Sequence, residues 1–333
     1  MERTKEISIL FRVDAGNEVG LGHFFRSLSL ANHLSSNGYK IVFCFNPSDF
    51  WGKQSLVIDH ECIPLLNPEN GMLDIVKEKN ISLFYLDGLI NLKSSCLQEI
   101  RKEVPVVFYH NVTEARFNCD LFILPAIHYD TGYLNDLSQK VILYHGLDYI
   151  MLNPAILGHK KGVPKSPSTI VITCGGSDPT NLAETICEAI DFDAFPSLSF
   201  KLLRGLDDKK SLKLPHENFS EEPFDFKTIL ESGLVISAFG VLTFELLFLN
   251  KTVFSIGHAP SNEKGSKILD QTFNAVVDLG NRNELLKENL SVRLKEFESG
   301  NFDNSNLLVP GNRIMDGKGT ERVANLIIKE LKK

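Results

Sequence analysis

The stretch "ISILFRVDAGNEVGLGHFFRSLSL", residues 7–30, decides the fold of the first half of the chain. Residues 7–13 form an apolar run of strand length, a loop with Gly20 and Gly22 follows, and apolar residues then recur at helical spacing. A strand, a glycine-containing loop and a helix start in this order are typical of a parallel α/β domain, where the helix N-terminus favours an anion. The spacing does not match G-x-G-x-x-G followed by an acidic ribose ligand, so a dinucleotide site is a poor fit.

The first half of the chain continues this alternation. Short apolar runs separated by helical patterns predict a parallel sheet with helices on both faces. The predicted strands are 7–13, 40–45, 83–87, 106–109, 119–125 and 140–146, and the predicted helices are 23–37, 70–80 and 94–103.

The segment 158–168 is rich in lysine, proline and glycine, which predicts a linker, and the strand–loop–helix pattern restarts after it. The predicted strands there are 169–174, 199–205, 234–238 and 252–257, and the helices are 181–190, 225–231, 241–249 and a closing helix at 320–332. We therefore predict an α/β fold of two Rossmann-like domains facing a cleft. The first domain spans 1–157, and the second spans 169–333 and includes the closing helix.

Charge and composition limit the classes of partner. The net charge of −7 argues against nucleic acid as the main partner, since its binding requires clustered Lys and Arg. No stretch approaches the roughly 18 apolar residues of a membrane helix, so no membrane span is predicted. The six cysteines are widely spaced without C-x-x-C, and the short apolar run near the start is not that of a signal peptide. These features predict a cytoplasmic protein without a catalytic metal and without a cofactor.

His23 is the first candidate for chemistry. It lies in the first turn of the predicted helix, at the end of the sheet where such domains bind ligands, and Arg26 shares its face at i+3. A histidine accepts a proton near neutral pH, which suits a general base. The alternative is that His23 caps the helix and Arg26 is a solvated residue.

Asp87 ends a predicted strand and precedes Gly88. A carboxylate at this position is suited to orient a histidine or to bind a sugar hydroxyl. The alternative is that it caps the following turn.

Two loops of the second half point to a nucleotide. In "TCGGSDPTN", Gly175, Gly176 and Ser177 expose donors for a diphosphate at a helix start, and a turn with an N-cap is the alternative. In "SAFGVLTFELLFLN", Gly240 permits close approach, and Glu245 lies on an otherwise apolar helix. A ribose diol would satisfy that carboxylate, and a salt bridge is the alternative.

These loops, together with "IMDGKGTERVANLI" near the end, resemble the UDP-sugar hydrolases of pseudaminic acid biosynthesis and their relatives in spore-coat polysaccharide synthesis. The resemblance implies the glycosyltransferase-B fold and metal-independent release of UDP from an acetamido-deoxy sugar. It implies that His23 positions and deprotonates the attacking water, with sugar in the first domain and nucleotide in the second. The substrate-binding positions it implies are Arg12, Asp14, Gly20, Gly22, Arg26, Asp87 and Asn153. The nucleotide-binding positions are Gly175, Gly176, Ser177, Gly240, Val241, Leu242, Thr243 and Glu245.

The sequence departs from that family in the first domain. Gly88 stands where hydrolases often carry histidine or tyrosine, Asn153 aligns with an arginine, and His110-Asn111 replaces an acidic pair. Two alternatives therefore stay open. One is a glycosyltransferase in which His23 deprotonates an acceptor hydroxyl, and the other is a binding subunit that retains nucleotide affinity without catalysis.

Overall fold

The computed structural model describes residues 6–16, 20–55, 57–67, 71–159, 166–176, 178, 180–205, 212, 214, 216–282, 287–300 and 315–333. The chain divides into two compact units. The first comprises Met1–Asn153 together with Gly317–Lys333, and the second comprises Pro154–Asp316.

The first unit is a parallel α/β structure. Its strands are β1 (Ser8–Val13), β2 (Lys40–Phe45), β3 (Glu61–Pro64), β4 (Ile81–Asp87), β5 (Val106–Tyr109), β6 (Leu121–Leu124) and β7 (Ile142–His145). Its helices are α1 (Gly22–Ser36), α2 (Asp49–Gln54), α3 (Gly71–Glu78), α4 (Ser94–Glu103) and α5 (Thr131–Ser138), with a terminal helix described below.

In the described residues the strands form one sheet in the order β3-β2-β1-β4-β5-β6-β7, and all neighbours are parallel. The strand order reverses between β1 and β4. Loops on opposite sides of such a reversal leave a crevice at the carboxyl ends of the strands, which is where doubly wound sheets bind ligands.

Both faces of this sheet are buried, as the continuous apolar runs of the sequence predicted. Phe11 and Phe43 pack with α1 on one face, and Leu10 and Phe84 pack with α3 and α4 on the other. The sequence did not predict β3, a short strand at the sheet edge whose side chains are partly exposed and which ends in Pro64. A four-residue edge strand carries too little alternation to be recognised.

The second unit repeats the architecture. Its strands are β8 (Ser166–Thr173), β9 (Ser199–Arg204), β10 (Phe219–Pro223), β11 (Ser232–Ala238), β12 (Thr252–Gly257) and β13 (Val277–Asn281). Its helices are α6 (Pro154–Leu157), α7 (Leu182–Ala189), α8 (Phe226–Glu231), α9 (Val241–Phe248), α10 (Pro260–Gln271) and α11 (Lys287–Glu298).

Its parallel sheet has the order β10-β9-β8-β11-β12-β13 among the described residues, so the reversal lies between β8 and β11. The sequence did not predict the outer strands β10 and β13. Their side chains are mostly half-buried and include Glu221, Glu222 and Asp278, which break the apolar run.

The terminal helix α12 (Gly319–Leu331) corrects the predicted domain assignment. The sequence placed it in the second domain, whereas it belongs to the first unit. Val323 and Ile327 enter the same apolar cluster as Leu30 and Leu34 of α1. Helical periodicity identifies an apolar face but not the element that covers it. The predicted linker also differs, because residues 166–168 begin β8, while 160–165 lie outside the described residues.

Gly319→Ala tests the attachment of α12. A Cβ at this position would lie 1.9 Å from the carbonyl oxygen of Ile150, so the start of α12 must move away from Ile150. We expect the free energy of unfolding to fall by about 1–3 kcal/mol, measured by urea denaturation.

The matched control is Gly52→Ala, in helix α2, where an added Cβ meets nothing within 4 Å. It should leave stability unchanged or raise it by up to about 1 kcal/mol, because alanine favours helix. Equal stabilities of the two variants would contradict the close packing of α12.

Candidate functional site

The strand reversal of the first unit brings four polar residues together. Three of them are predicted site residues, and the fourth, Ser27, is adjacent to Arg26 in the sequence. Helix α1 begins after β1 and carries His23, Arg26 and Ser27 in its first two turns, and β4 ends at Asp87. Because β1 and β4 are hydrogen-bonded neighbours, with Val13 paired to Asp87, these side chains meet at the carboxyl ends of the two strands.

Asp87 is the centre of this cluster and is fully buried. Its Oδ2 accepts a hydrogen bond from Nε of Arg26 at 2.8 Å and from Oγ of Ser27 at 2.7 Å, and Nη2 of Arg26 donates to Oδ1. Burial alone would raise the pKa of Asp87, but the charge and hydrogen bonds of Arg26, with a smaller contribution from His23, bring the pKa well below its usual range. Asp87 is therefore a carboxylate at neutral pH.

Arg26 is buried. The alternative interpretation, in which Arg26 is a solvated residue, is therefore wrong. Burial opposes its charge, yet Asp87 outweighs this and raises the pKa of Arg26. Its guanidinium carbon lies 4.8 Å from the ring centroid of Tyr109, a cation–π contact. The Tyr109 hydroxyl donates to the carbonyl of Tyr149 at 2.9 Å, which fixes the ring.

His23 lies at the edge of the cluster with 22% of its side chain exposed. Its Nδ1 is 3.0 Å from Oδ1 of Asp87 and 2.6 Å from Nη2 of Arg26. Nδ1 therefore either donates to the carboxylate or accepts from the guanidinium, and the first arrangement leaves the Nε2 lone pair available. The side chain of His23 does not cap α1, whose N-cap residue is Leu21.

Gly88 leaves the space that the His23 ring occupies. Its φ is +107°, and a Cβ there would lie 3.1 Å from Nδ1 of His23 and 3.3 Å from its Cε1. Any larger residue at position 88 is therefore strained in its backbone and displaces the imidazole. A glycine directly after the strand-ending aspartate is the sequence signal for this contact.

Arg12 and Asp14 form a second ion pair after β1. Arg12 is buried, and its two terminal nitrogens contact the Asp14 carboxylate at 2.5 and 2.8 Å. Asp14 also accepts hydrogen bonds from the backbone and side chain of Asn46. Gly20, with φ +78°, donates to the carbonyl of Gly16 at 2.8 Å, which closes the loop in front of α1. These contacts join the β1 and β2 loops.

Two more predicted positions border this region. Gly22 is the first residue of α1. Asn153 is the last residue of the first segment of this unit, and it follows Met151, whose N–H donates to the Tyr109 hydroxyl at 3.3 Å. Asn153 takes part in interactions with its surroundings, and its role as a substrate ligand stays a prediction.

His110 and Asn111 directly follow β5, whose last residue, Tyr109, pairs with Asp87, and the sequence leaves two interpretations of them open, loop packing or lining of the predicted cleft. His110 has φ +55°, and its Nδ1 is inaccessible to solvent and has no hydrogen-bond partner among the described residues. Asn111 donates to the carbonyl of Ile90 at 2.8 Å and so ties the loop after β4 to the loop after β5. Loop packing accounts for Asn111 but not for His110.

In the second unit, the loop after β8 differs in part from its prediction. Gly175 has φ +83° and donates to the hydroxyl of Thr173 at 3.2 Å. Asp178 accepts from the backbone N–H groups of Leu182 and Ala183, each at 2.9 Å, so it acts as a cap for α7. The predicted Ser177 lies outside the described residues.

The loop after β11 lies beside it. A Cβ on Gly175 would be 3.7 Å from Cδ2 of Leu242, the second residue of α9. Gly240 has extended backbone with open space beside it, and its N–H donates to Oγ1 of Thr243 at 3.1 Å. Thr243 therefore serves α9 as an internal cap. The two predicted glycine loops, together with Gly176 and Val241, are thus brought together at the reversal of the second sheet.

Glu245 is buried within α9 and takes part in interactions with its surroundings. Its role as a ribose ligand stays a prediction.

Among the described residues, no cluster of three or more His, Cys, Asp and Glu side chains has the arrangement of a metal site. In the same part of the chain, the helices are too short or too polar to cross a membrane.

No protein-family model matches the sequence. An uncharacterised protein of Methanocaldococcus jannaschii is 24% identical over 264 residues, which are 73% of this chain and 54% of that protein. The chain thus spans about half the length of the curated relative it matches.

Solved structures similar to this chain share its fold. The glycotransferase of kitacinnamycin has a TM-score of 0.66 at 14% identity, covering 98% of this chain and 100% of its own. MurG from Acinetobacter baumannii has a TM-score of 0.64 at 13% identity, covering 97% and 99%. UDP-GlcNAc 2-epimerase from Neisseria meningitidis, bound to UDP-GlcNAc, has a TM-score of 0.62 at 12% identity, covering 97% and 100%. The predicted glycosyltransferase-B fold, with two parallel α/β domains, is confirmed.

Asp87→Asn tests the central ion pair. The variant leaves the Arg26 guanidinium buried without its counter-charge, so we expect the free energy of unfolding to fall by about 3–5 kcal/mol in urea denaturation. The matched control is Asp136→Asn, which breaks an exposed pair with Lys140 and should cost about 0.5 kcal/mol or less. A loss as small as that of the control would refute the central role of Asp87.

The acid stability of the protein tests the environment of His110. Burial, with the positive charge of Arg26, lowers the pKa of His110 to about 3, from 6.5 in the unfolded chain. As pH falls through about 6.5, the unfolded chain therefore binds a proton that the folded chain does not, and stability is lost by up to about 1.4 kcal/mol per pH unit. His110→Asn should lose less stability than the wild type between about pH 7 and pH 4. Parallel stability curves for the two proteins would contradict this environment.

Proposed function

We propose that this protein is an enzyme that hydrolyses a UDP-linked sugar, with His23 as the general base. The observation that carries the proposal is a partly exposed histidine held by an ionised, buried aspartate at the strand reversal of the first sheet. The resemblance of the sequence to UDP-sugar hydrolases supports the same residue. Released sugar would enter nonulosonic acid or surface polysaccharide synthesis.

The proposed chemistry assigns one role to each nitrogen of His23. Nδ1–H donates to Asp87 Oδ1, and Nε2 accepts a proton from water. The water oxygen forms a bond to the anomeric carbon while the bond from that carbon to the UDP oxygen breaks, and UDP leaves with the electron pair. Asp87 holds the imidazole in this tautomer and stabilises its protonated form. Since Asp87 is ionised and fully hydrogen-bonded, it is a positioning group rather than the base.

The nucleotide is assigned to the second unit. The loops with Gly175, Gly176 and Ser177 and with residues 240–243 would hold the diphosphate at two helix starts, and Glu245 would hold the ribose. The N–H groups of Gly175 and Gly240 already donate to Thr173 and Thr243, so the backbone N–H groups that follow them in the two loops are the more suitable donors. Solved structures of similar fold whose descriptions name UDP or UDP-GlcNAc support a nucleotide-sugar ligand for this protein.

A glycosyltransferase is the second candidate. The same base would take the proton of an acceptor hydroxyl, and that oxygen would replace water at the anomeric carbon. The observation that favours it is the likeness of the fold to the kitacinnamycin glycotransferase and to MurG.

His23→Ala should lower kcat by about 10²–10⁴-fold, because it removes the general base, while the dissociation constant for UDP stays near its wild-type value. Release of UDP from UDP-sugars gives the rate, and calorimetric titration with UDP gives the affinity. His33→Ala, a histidine in the last turn of the same helix, is the matched control and should retain wild-type kinetics. Unchanged turnover in His23→Ala would eliminate His23 as the base.

Incubation of the protein with UDP-2,4-diacetamido-trideoxy sugars and UDP-GlcNAc, without acceptor, separates the two candidates. NMR should detect UDP and free sugar in equal amounts, since hydrolysis transfers the sugar to water. UDP binding without sugar release, followed by transfer when acceptor sugars or lipids are added, would replace the hydrolase with the transferase.

A further inference from the structure

His110 occupies a position that is costly for a histidine. Its backbone is left-handed, with φ +55°, a conformation that asparagine and glycine adopt more readily. Its N–H donates to the carbonyl of Ile123 at 2.9 Å, so the strained conformation is held by the ladder between β5 and β6. The side chain is placed by the sheet and not by a flexible loop.

One nitrogen of the His110 ring lacks a partner in the described part of the chain, although the residue is only partly buried. Its Nδ1 is shielded from solvent without a hydrogen-bond partner among the described residues. Buried polar atoms are nearly always paired, and an unpaired one combined with backbone strain is characteristic of a functional position. A structural role would be served equally by asparagine, which tolerates this backbone and presents a shorter polar group.

The surroundings of His110 are those of the candidate site. It follows Tyr109, whose backbone carbonyl accepts a hydrogen bond from Gly88 and whose ring stacks on Arg26. The charges of Arg26, His23 and Asp87 all act on its imidazole. His110 thus lies at the same carboxyl edge as the proposed base, next to β4 and two strands from β1 in the sheet.

We propose that His110 is a substrate-contacting residue that selects the sugar, by hydrogen bonding to a hydroxyl or acetamido group of the sugar bound beside His23. This inference rests on the proposed function and adds a specificity-determining residue to it. A neutral imidazole offers one donor and one acceptor, which match a hydroxyl or an amide and not a phosphate. Burial beside Arg26 keeps the ring neutral at physiological pH, because the pKa of His110 is lowered to about 3.

The test compares His110→Asn and His110→Gly with the wild type. Both replacements suit a left-handed backbone, so both should fold with equal or higher melting temperature. We expect kcat/KM for release of UDP from the UDP-sugar to fall roughly 10-fold or more, because a hydrogen bond to the sugar is lost. The inhibition constant of UDP alone should stay unchanged, since UDP lacks the transferred sugar that His110 is proposed to contact.

His60→Asn is the matched control. His60 is a partly buried histidine just before β3, at the opposite end of the strands, and its Nε2 is already bonded to Asn32 at 2.8 Å. It should retain wild-type kcat/KM. A panel of UDP-2,4-diacetamido-trideoxy sugars, UDP-GlcNAc and UDP-glucose locates the contact, because the His110 variants should discriminate among them less than the wild type does.

The outcomes separate this inference from the proposed function. Wild-type kcat/KM in both His110 variants, or an equal weakening of UDP alone, would overturn the role of His110 and leave the enzyme assignment intact. Absence of UDP release or sugar transfer by the wild-type protein would overturn the proposed function, and the inference that rests on it with it. A loss confined to UDP-sugars, with stability retained, supports His110 as the sugar contact.

Discussion

The buried ion pair between Asp87 and Arg26 is the interaction on which the first unit depends. It joins the end of β4 to the first turns of α1, so it fixes the helix against the strand reversal of the sheet. The buried carboxylate of Asp87 is tolerated only because Arg26, Ser27 and His23 complete its hydrogen bonds. The same contacts that stabilise the unit also keep Asp87 ionised, which leaves His23 as the partly exposed member of the cluster that can exchange a proton.

The two units carry different residues at the same point of one topology. In the first, the strand reversal gathers charged side chains around His23. In the second, it gathers glycines, and the polar side chains beside them serve the helices: Asp178 caps α7, and Thr243 caps α9. In the proposed function, the remaining backbone N–H groups of these loops would be the donors there. Such donors suit the negative charge of a diphosphate without requiring a lysine or arginine in the loop, which is consistent with an acidic protein.

The sequence predicted the fold well wherever a strand is buried on both faces. Apolar runs such as 83–87 and 234–238 have no other stable location, whereas the edge strands β3, β10 and β13 are short or polar and gave no signal. It also placed His23, Arg26 and Asp87 at the carboxyl ends of strands, because each of them ends a predicted strand or follows one at the start of a helix. It did not predict that Arg26 is buried or that α12 belongs to the first unit, since both depend on partners distant in the chain.

Gly88 and His110 explain how this site departs from the family that the sequence resembles. Hydrolases of that family often carry histidine or tyrosine directly after the strand-ending aspartate, but here even a Cβ at position 88 would touch the His23 ring. A polar ring cannot come from position 88 without displacing His23. In the role proposed for His110, the neighbouring strand β5 would supply one instead, from a residue with a left-handed backbone. Because this ring approaches from a different strand, we expect it to face a different part of the sugar, so substrate selection would change while the His23–Asp87 geometry is retained.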